Sequence, residues 1–173
     1  MITTIYVDMD GVLSNFLKKF TEFSGSTPKR DYNSNNAAKS AYKKHFDDFI
    51  TENNFATLEP MSDLTEALSF LGSIEDSYTI KLLSSTAQEK YLVEVSKQKE
   101  MWLTNWEIAY PAIFVPGKKL KQLYATPDSI LIDDTQSSII EWRERGGLAV
   151  HHITWEQTII ELTAMLHNHN KPV

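Results

Sequence analysis

The sequence predicts a doubly wound α/β protein: a parallel five-stranded sheet with a small helical cap inserted after the first strand. Three observations carry this. Five apolar runs rich in β-branched residues (2–8, 78–83, 112–115, 129–132 and 148–153) alternate with stretches of helical periodicity, the signature of β-α-β units. Only one connection, roughly residues 14–77, is much longer than a crossover helix needs. Three runs end in polar side chains, Asp8/Asp10, Ser84/Ser85 and Asp133/Asp134, at what would be one edge of the sheet.

Each element has a local reason. Ile5-Tyr6-Val7 forms a buried strand that delivers Asp8 and Asp10, and Gly11 lets the backbone leave it sharply. Phe16, Leu17, Phe20 and Phe23 then recur at helical spacing up to Gly25-Ser26-Thr27-Pro28. Residues 29–36 are polar and loop-like, and a second helix is expected from Ala37 to Ile50 with Ala41, Tyr42, Phe46, Phe49 and Ile50 inward. After an irregular apolar connector, Phe55 to Met61, Ser62 is expected to cap a helix running to Leu71. A long helix is expected over 88–106, a short one from Lys118 to Tyr124, and another from Ser138 to Arg145 closed by Gly146-Gly147. Thr154 is expected to cap a last helix through Leu166, leaving His167–Val173 as a polar tail. The division that follows is a core of 1–13 and 78–173, with 14–77 as cap and return helix.

Composition narrows the function. The chain's 173 residues suit one domain with a small insertion, and 42% hydrophobic content supports a packed core. A net charge of −6 argues against a general nucleic-acid or membrane-surface binder. No cysteine is present, which excludes disulfides, thiolate catalysis and Cys-based zinc sites. No apolar run reaches the roughly 18 residues that span a bilayer, and no basic segment precedes an apolar stretch at the start, so a cytoplasmic protein is expected. The histidines have no carboxylate support in sequence and are read as core, surface or tail residues.

Two carboxylates one residue apart at a strand end repel each other, and a hard cation such as Mg²⁺ relieves the repulsion. A solvated Asp-x-Asp-Gly turn is the structural alternative. Asp133-Asp134 and Ser84-Ser85-Thr86 could each be helix caps, and Lys118, Lys119 and Lys121 a solvated face. Their joint occurrence at corresponding strand ends favours a site. Pro116-Gly117-Lys118-Lys119 lacks the spacing and hydroxyl of a phosphate-cradling loop. No Gly-x-Gly-x-x-Gly follows the first strand, and no Gly-x-Ser-x-Gly occurs. What remains suits phosphoryl transfer to a carboxylate nucleophile, with a lysine and a hydroxyl holding the phosphate.

These residues resemble the haloacid-dehalogenase-like (HAD) hydrolase superfamily, whose core is a Rossmann-like sheet. Asp8-Met9-Asp10-Gly11-Val12 matches its first motif, Ser84 after Leu82-Leu83 the second, Lys121 the third and Asp133-Asp134 after Ile130-Leu131-Ile132 the fourth. Within it, Asp8 to Phe16, Phe55 to Met61, Lys121 to Ala125 and Ile130 to Asp134 are similar to the 5'(3')-deoxyribonucleotidases of the short bacterial and phage type. The resemblance implies Mg²⁺-dependent hydrolysis of nucleoside monophosphates. By it, Asp8 is the nucleophile and Asp10 the general acid/base, whose carbonyl also contacts the metal. Ser84, Ser85 and Lys121 bind phosphate, Asp133 and Asp134 complete or orient the metal shell, and Phe16 packs against the base. The partner implied is a small nucleotide, with the protein a monomer or homodimer and neither membrane nor nucleic acid involved. Asn15 replaces an acidic residue common in the family, and Thr86 a proline. Tyr32, Tyr42, His45, Arg30 and Lys43 are further candidates for leaving-group contacts.

Overall fold

Strand β1 (Thr4–Val7) lies at the centre of a five-stranded sheet whose order is β3-β2-β1-β4-β5, every neighbouring pair being parallel. The computed structural model describes residues 1–25 and 36–169. The strands β2 (Thr79–Ser85), β3 (Ala112–Val115), β4 (Ser129–Asp133) and β5 (Leu148–His151) follow the expected apolar runs. The switch in strand order falls at β1, between β2 and β4, which is where a ligand site forms in such sheets.

Alternation along the strands divides the core in two. Ile5, Val7, Leu82, Ile130 and Ile132 face a large cluster that takes in Trp102 and Trp155. Tyr6, Leu83, Leu131 and Ala149 face the other side, against Ile139 and Trp142. The helices are α1 (Phe16–Ser24), α2 (Asn36–Thr51), α3 (Leu64–Ile74), α4 (Leu92–Asn105), α5 (Gln136–Glu144) and α6 (Trp155–His169). Helix α3 packs on α6, and α4 crosses the chain at 54–57. Among the described residues, no helix is long and apolar enough to cross a membrane.

The structure corrects several expected boundaries. Helix α3 starts at Leu64 with Asp63, not Ser62, at its N-cap position. Asp63 spends its carboxylate on the Trp155 amide at 2.8 Å, so it fixes α6 instead of its own helix. Ser84 and Ser85 lie inside β2 because β3 pairs with them. Residues 89–91 and 118–124 are 3-10 turns rather than α-helix. The segment 167–169 continues α6, anchored by the burial of Leu166, so the polar tail begins later than the composition suggests. Thr154 does cap α6: its hydroxyl accepts from the Gln157 amide.

Gly147 follows the α5 turn because a side chain has no room there. A Cβ at this position would lie 2.6 Å from Cδ1 of the fully buried Trp142. Gly147→Ala is expected to cost about 1–3 kcal/mol through overpacking, read as a lower midpoint in urea without a change in slope.

Candidate active site

The first turn after β1 builds the site. The Asp8 amide still donates to Ile132, so Asp8 sits at the sheet's carboxyl edge beside Asp133. The chain then doubles back, with Leu13 and Ser14 amides donating to Met9 and the Gly11 amide to Ser14. Gly11 has a φ of 84°, and a Cβ there would stand 2.6 Å from Asp134 Oδ2. The glycine is therefore required twice, by the turn and by the close approach of Asp134. Leu13 and Asn15 next pair with Met61 and Glu59, so the outgoing and returning strands of the long connection run side by side. Asn15, whose side chain accepts from the Lys18 amide, begins α1 at this neck.

Three carboxylates converge here. Oxygens of Asp8, Asp133 and Asp134 lie within 4.8 Å of one another. Lys121, from the 118–124 turn, enters between two of them, its Nζ 2.8 Å from Asp8 Oδ1 and 2.7 Å from Asp133 Oδ2. Burial works against the lysine's charge, but Asp8 and Asp133 outweigh it and hold its pKa above the ordinary value. Burial, and then the neighbouring Asp8 carboxylate, push Asp133 up to about 6 although Lys121 and the Thr135 amide oppose the shift. Asp133 uses both oxygens inside the protein, one on Lys121 and one on the Thr135 amide at 2.8 Å. Asp134 instead lines the open cavity.

This donor set fits Mg²⁺: hard, anionic oxygens in a cluster with only partial neutralisation by lysine. Because a cation and protons compete for the same carboxylates, the effect on stability has a fixed sign. Asp133 titrates near 6 in the folded protein against 3.8 unfolded, so the metal-free protein loses stability as pH rises across that interval. Mg²⁺ at about a hundredfold over its Kd is expected to raise Tm by about 5–10 °C at pH 7.5. At pH 5 the rise should be clearly smaller, which a thermal melt at the two pH values checks.

Asp10 stands apart from the cluster. Its carboxylate accepts from Ser14 Oγ at 3.0 Å and from Lys99 Nζ at 2.6 Å. Lys99 is 1% exposed, and it also donates to Ser84 Oγ at 2.7 Å and the Ser85 carbonyl at 3.2 Å. The sequence reading missed this lysine. A signal was present: Val95, Lys99, Trp102 and Leu103 share the buried stripe of α4 at helical spacing. Ser84 faces Lys99, whereas Ser85 lines the cavity and accepts from the Ala87 amide.

Above the carboxylates lies a cavity of about 580 Å³, a size that suits a small ligand. Phe16, Tyr42, Phe46 and Phe55 form one wall, while Asp8, Asp10 and Asp134 form the floor. Phe16 and Phe55 stack at 5.5 Å with planes 4° apart, and Phe46 and Phe49 meet Phe16 edge-on. Phe16 thus joins the aromatic core on one side and faces the cavity on another. Of the other candidates, Tyr42 lines the cavity, Lys43 and His45 do not, and Arg30 and Tyr32 lie outside the described residues.

The wall is firmly attached to the core. Gln98, fully buried in α4, donates to the Ile50 carbonyl at 2.8 Å and accepts from the Phe55 amide. Trp102 Nε1 donates to the Leu58 carbonyl at 2.8 Å, and Asp47 is bound by Tyr91 and Lys90.

No protein-family model matches this chain, and no curated protein matches it in sequence. Solved structures do match in shape. A hydrolase from Pseudomonas syringae superposes with a TM-score of 0.53 at 12% identity, over 97% of this chain and 99% of that one. A phosphonoacetaldehyde hydrolase-like protein from Oleispira antarctica gives 0.52 at 13% identity, over 98% and 86%. A HAD family enzyme from Bacteroides thetaiotaomicron gives 0.51 at 14%, over 91% and 98%. A mutant of that enzyme, in complex with magnesium and inorganic phosphate, also gives 0.51, at 12% identity over 91% and 99%. The likeness is one of fold: the chain has the Rossmann-like architecture of HAD hydrolases.

Proposed function

We propose that this chain is a Mg²⁺-dependent phosphomonoesterase acting on nucleoside monophosphates, of the 5'(3')-deoxyribonucleotidase type. The observation that carries the reading is the cluster of Asp8, Asp133 and Asp134 around Lys121 at the floor of an aromatic-walled cavity. The magnesium and phosphate seen on a HAD family enzyme of the same fold fit this chemistry.

Asp8 is the nucleophile, since its carboxylate lines the cavity and is fixed by the Met9 amide at 2.8 Å and by Lys121. It attacks phosphorus, an aspartyl-phosphate forms, and the bond to the leaving oxygen breaks. Asp10, held by Ser14 and Lys99, supplies the proton for that oxygen. Asp10 then takes a proton from water, the hydroxide attacks phosphorus, and Asp8 and inorganic phosphate are released. Asp133 and Asp134 would hold Mg²⁺ with Asp8, and the ion when bound screens the approach of a dianion to a carboxylate. Ser85 and Lys121 bind phosphate oxygens, while Lys99 places Ser84 and Asp10. The rings of Phe16, Tyr42 and Phe46 offer the flat apolar surface a nucleobase stacks on.

Phosphate release from a panel of 5'- and 3'-nucleoside monophosphates and sugar phosphates, with Mg²⁺ and with EDTA, tests this. Turnover of the nucleotides that EDTA abolishes is expected. Inert nucleotides beside an active sugar phosphate would assign another ester, and silence throughout would make the chain a binding domain.

A further inference from the structure

The two lysines at the mouth of the cavity are not explained by cleavage of a simple monoester. Lys39, on α2, and Lys118, at the start of the 118–124 turn, both line the cavity, one from the long connection and one from the turn before β4. Both are exposed, and neither has an ion pair or hydrogen bond among the described residues. Other cationic side chains at the site are already committed, Lys121 to Asp8 and Asp133 and Lys99 to Asp10.

Charge shows what these lysines are available for. Asp8, Asp10, Asp133 and Asp134 carry four negative charges; Lys99 and Lys121 offset two, and a divalent cation the other two. With that cation the floor would be neutral, and among the described residues nothing pairs with the two positive charges at the mouth, in a protein whose net charge is −6. Position separates Lys39 from the scissile phosphate. Lys39, Tyr42 and Phe46 follow one another at helical spacing on the face of α2 that meets the cavity. Phe46 is buried, Tyr42 half-buried and Lys39 exposed, so this face runs outward. Seven residues of helix put Lys39 about 10 Å beyond Phe46 along the axis.

We propose, resting on the phosphatase reading, that the substrate carries a second phosphate at the end of the molecule remote from the floor. Lys39 and Lys118 take that group, so that a nucleoside bisphosphate is bound in preference to a monophosphate. The aromatic wall lies between the two anionic ends.

Deoxythymidine 3',5'-bisphosphate and deoxythymidine 5'-monophosphate are the probes, in kinetics and in equilibrium titration with Mg²⁺ at low salt, on wild type and on the Lys39→Ala/Lys118→Ala double variant. In wild type, KM and Kd for the bisphosphate are expected about tenfold lower, as two exposed charge contacts can supply. That advantage should shrink as salt is raised and fall within about twofold in the double variant. An unchanged melting temperature separates the effect from misfolding. Equal affinity of the two probes in wild type, or an advantage that survives the double substitution, overturns the proposal. If neither probe is hydrolysed, the phosphatase reading fails, and the titration alone still decides whether a second phosphate is recognised.

Discussion

Asp8→Asn is expected to lower kcat by about 10⁴–10⁶-fold, because it removes the attacking group itself and not one of its supports. The fold should tolerate it. The amide can keep the Met9 contact, and although it loses charge attraction to Lys121 it also relieves the repulsion that raises Asp133. A stability change within about 1 kcal/mol beside a lost rate is therefore the signature, measured by denaturant titration and steady-state kinetics on one preparation. Activity within tenfold of wild type would remove Asp8 from the chemistry.

Lys121→Met is expected to do the reverse and damage stability most. Lys121 is 3% exposed, and its two partners, Asp8 at 8% and Asp133 at 0%, are buried as well. Removing the shared cation leaves two carboxylates facing each other out of water, a loss of about 3–5 kcal/mol in the metal-free protein. Mg²⁺ can supply the missing charge, so its effect on Tm should be larger in the variant than in wild type. The rate should fall as well, by about 10²–10³, as when one donor to a transferring group is deleted. An unchanged midpoint without Mg²⁺ would show that the carboxylates do not depend on this lysine.

The elements that could be read from residues alone were those set by local chemistry. Five apolar runs became five parallel strands, and the polar strand ends Asp8, Ser85 and Asp133 came together because a parallel sheet places all its carboxyl ends on one edge. Among Lys118, Lys119 and Lys121 only the family resemblance favoured Lys121, and the structure sets that lysine between Asp8 and Asp133. Lys99 was passed over although it shares the apolar stripe of α4, because a lysine on a helix ordinarily marks the solvated face. Only the crossing of α4 behind Ser84 and the first turn gives it Asp10 as a partner. The helix start at Leu64 was misplaced because the polar side chain beside it serves another element, Asp63 holding the Trp155 amide; at Gln136 the N-cap is Thr135, whose side chain makes no capping hydrogen bond. The aromatic wall of the cavity is built from rings of three separate segments, Phe16, Phe46 and Phe55, which no spacing rule connects.

The geometry of Asp10 also explains why the first motif carries two aspartates with different duties. Asp8 faces Lys121 and the carboxylates of Asp133 and Asp134, whereas Asp10 is tied back to Ser14 and Lys99 and lies along the cavity floor. In the proposed mechanism that division puts the nucleophile and the proton carrier one residue apart, with only Asp8 in the carboxylate cluster.

The division of labour makes the covalent intermediate the most direct object to measure. In Asp10→Asn, hydrolysis of an aspartyl-phosphate loses its base, while p-nitrophenyl phosphate, whose leaving group needs no proton, can still load the enzyme. Acid quenching after mixing with Mg²⁺, followed by peptide mass mapping, is predicted to find one phosphoryl group on the peptide that contains Asp8 and none in Asp8→Asn/Asp10→Asn. Turnover of that ester by wild type with no phosphorylated Asp8 peptide in the quenched variant would contradict the account.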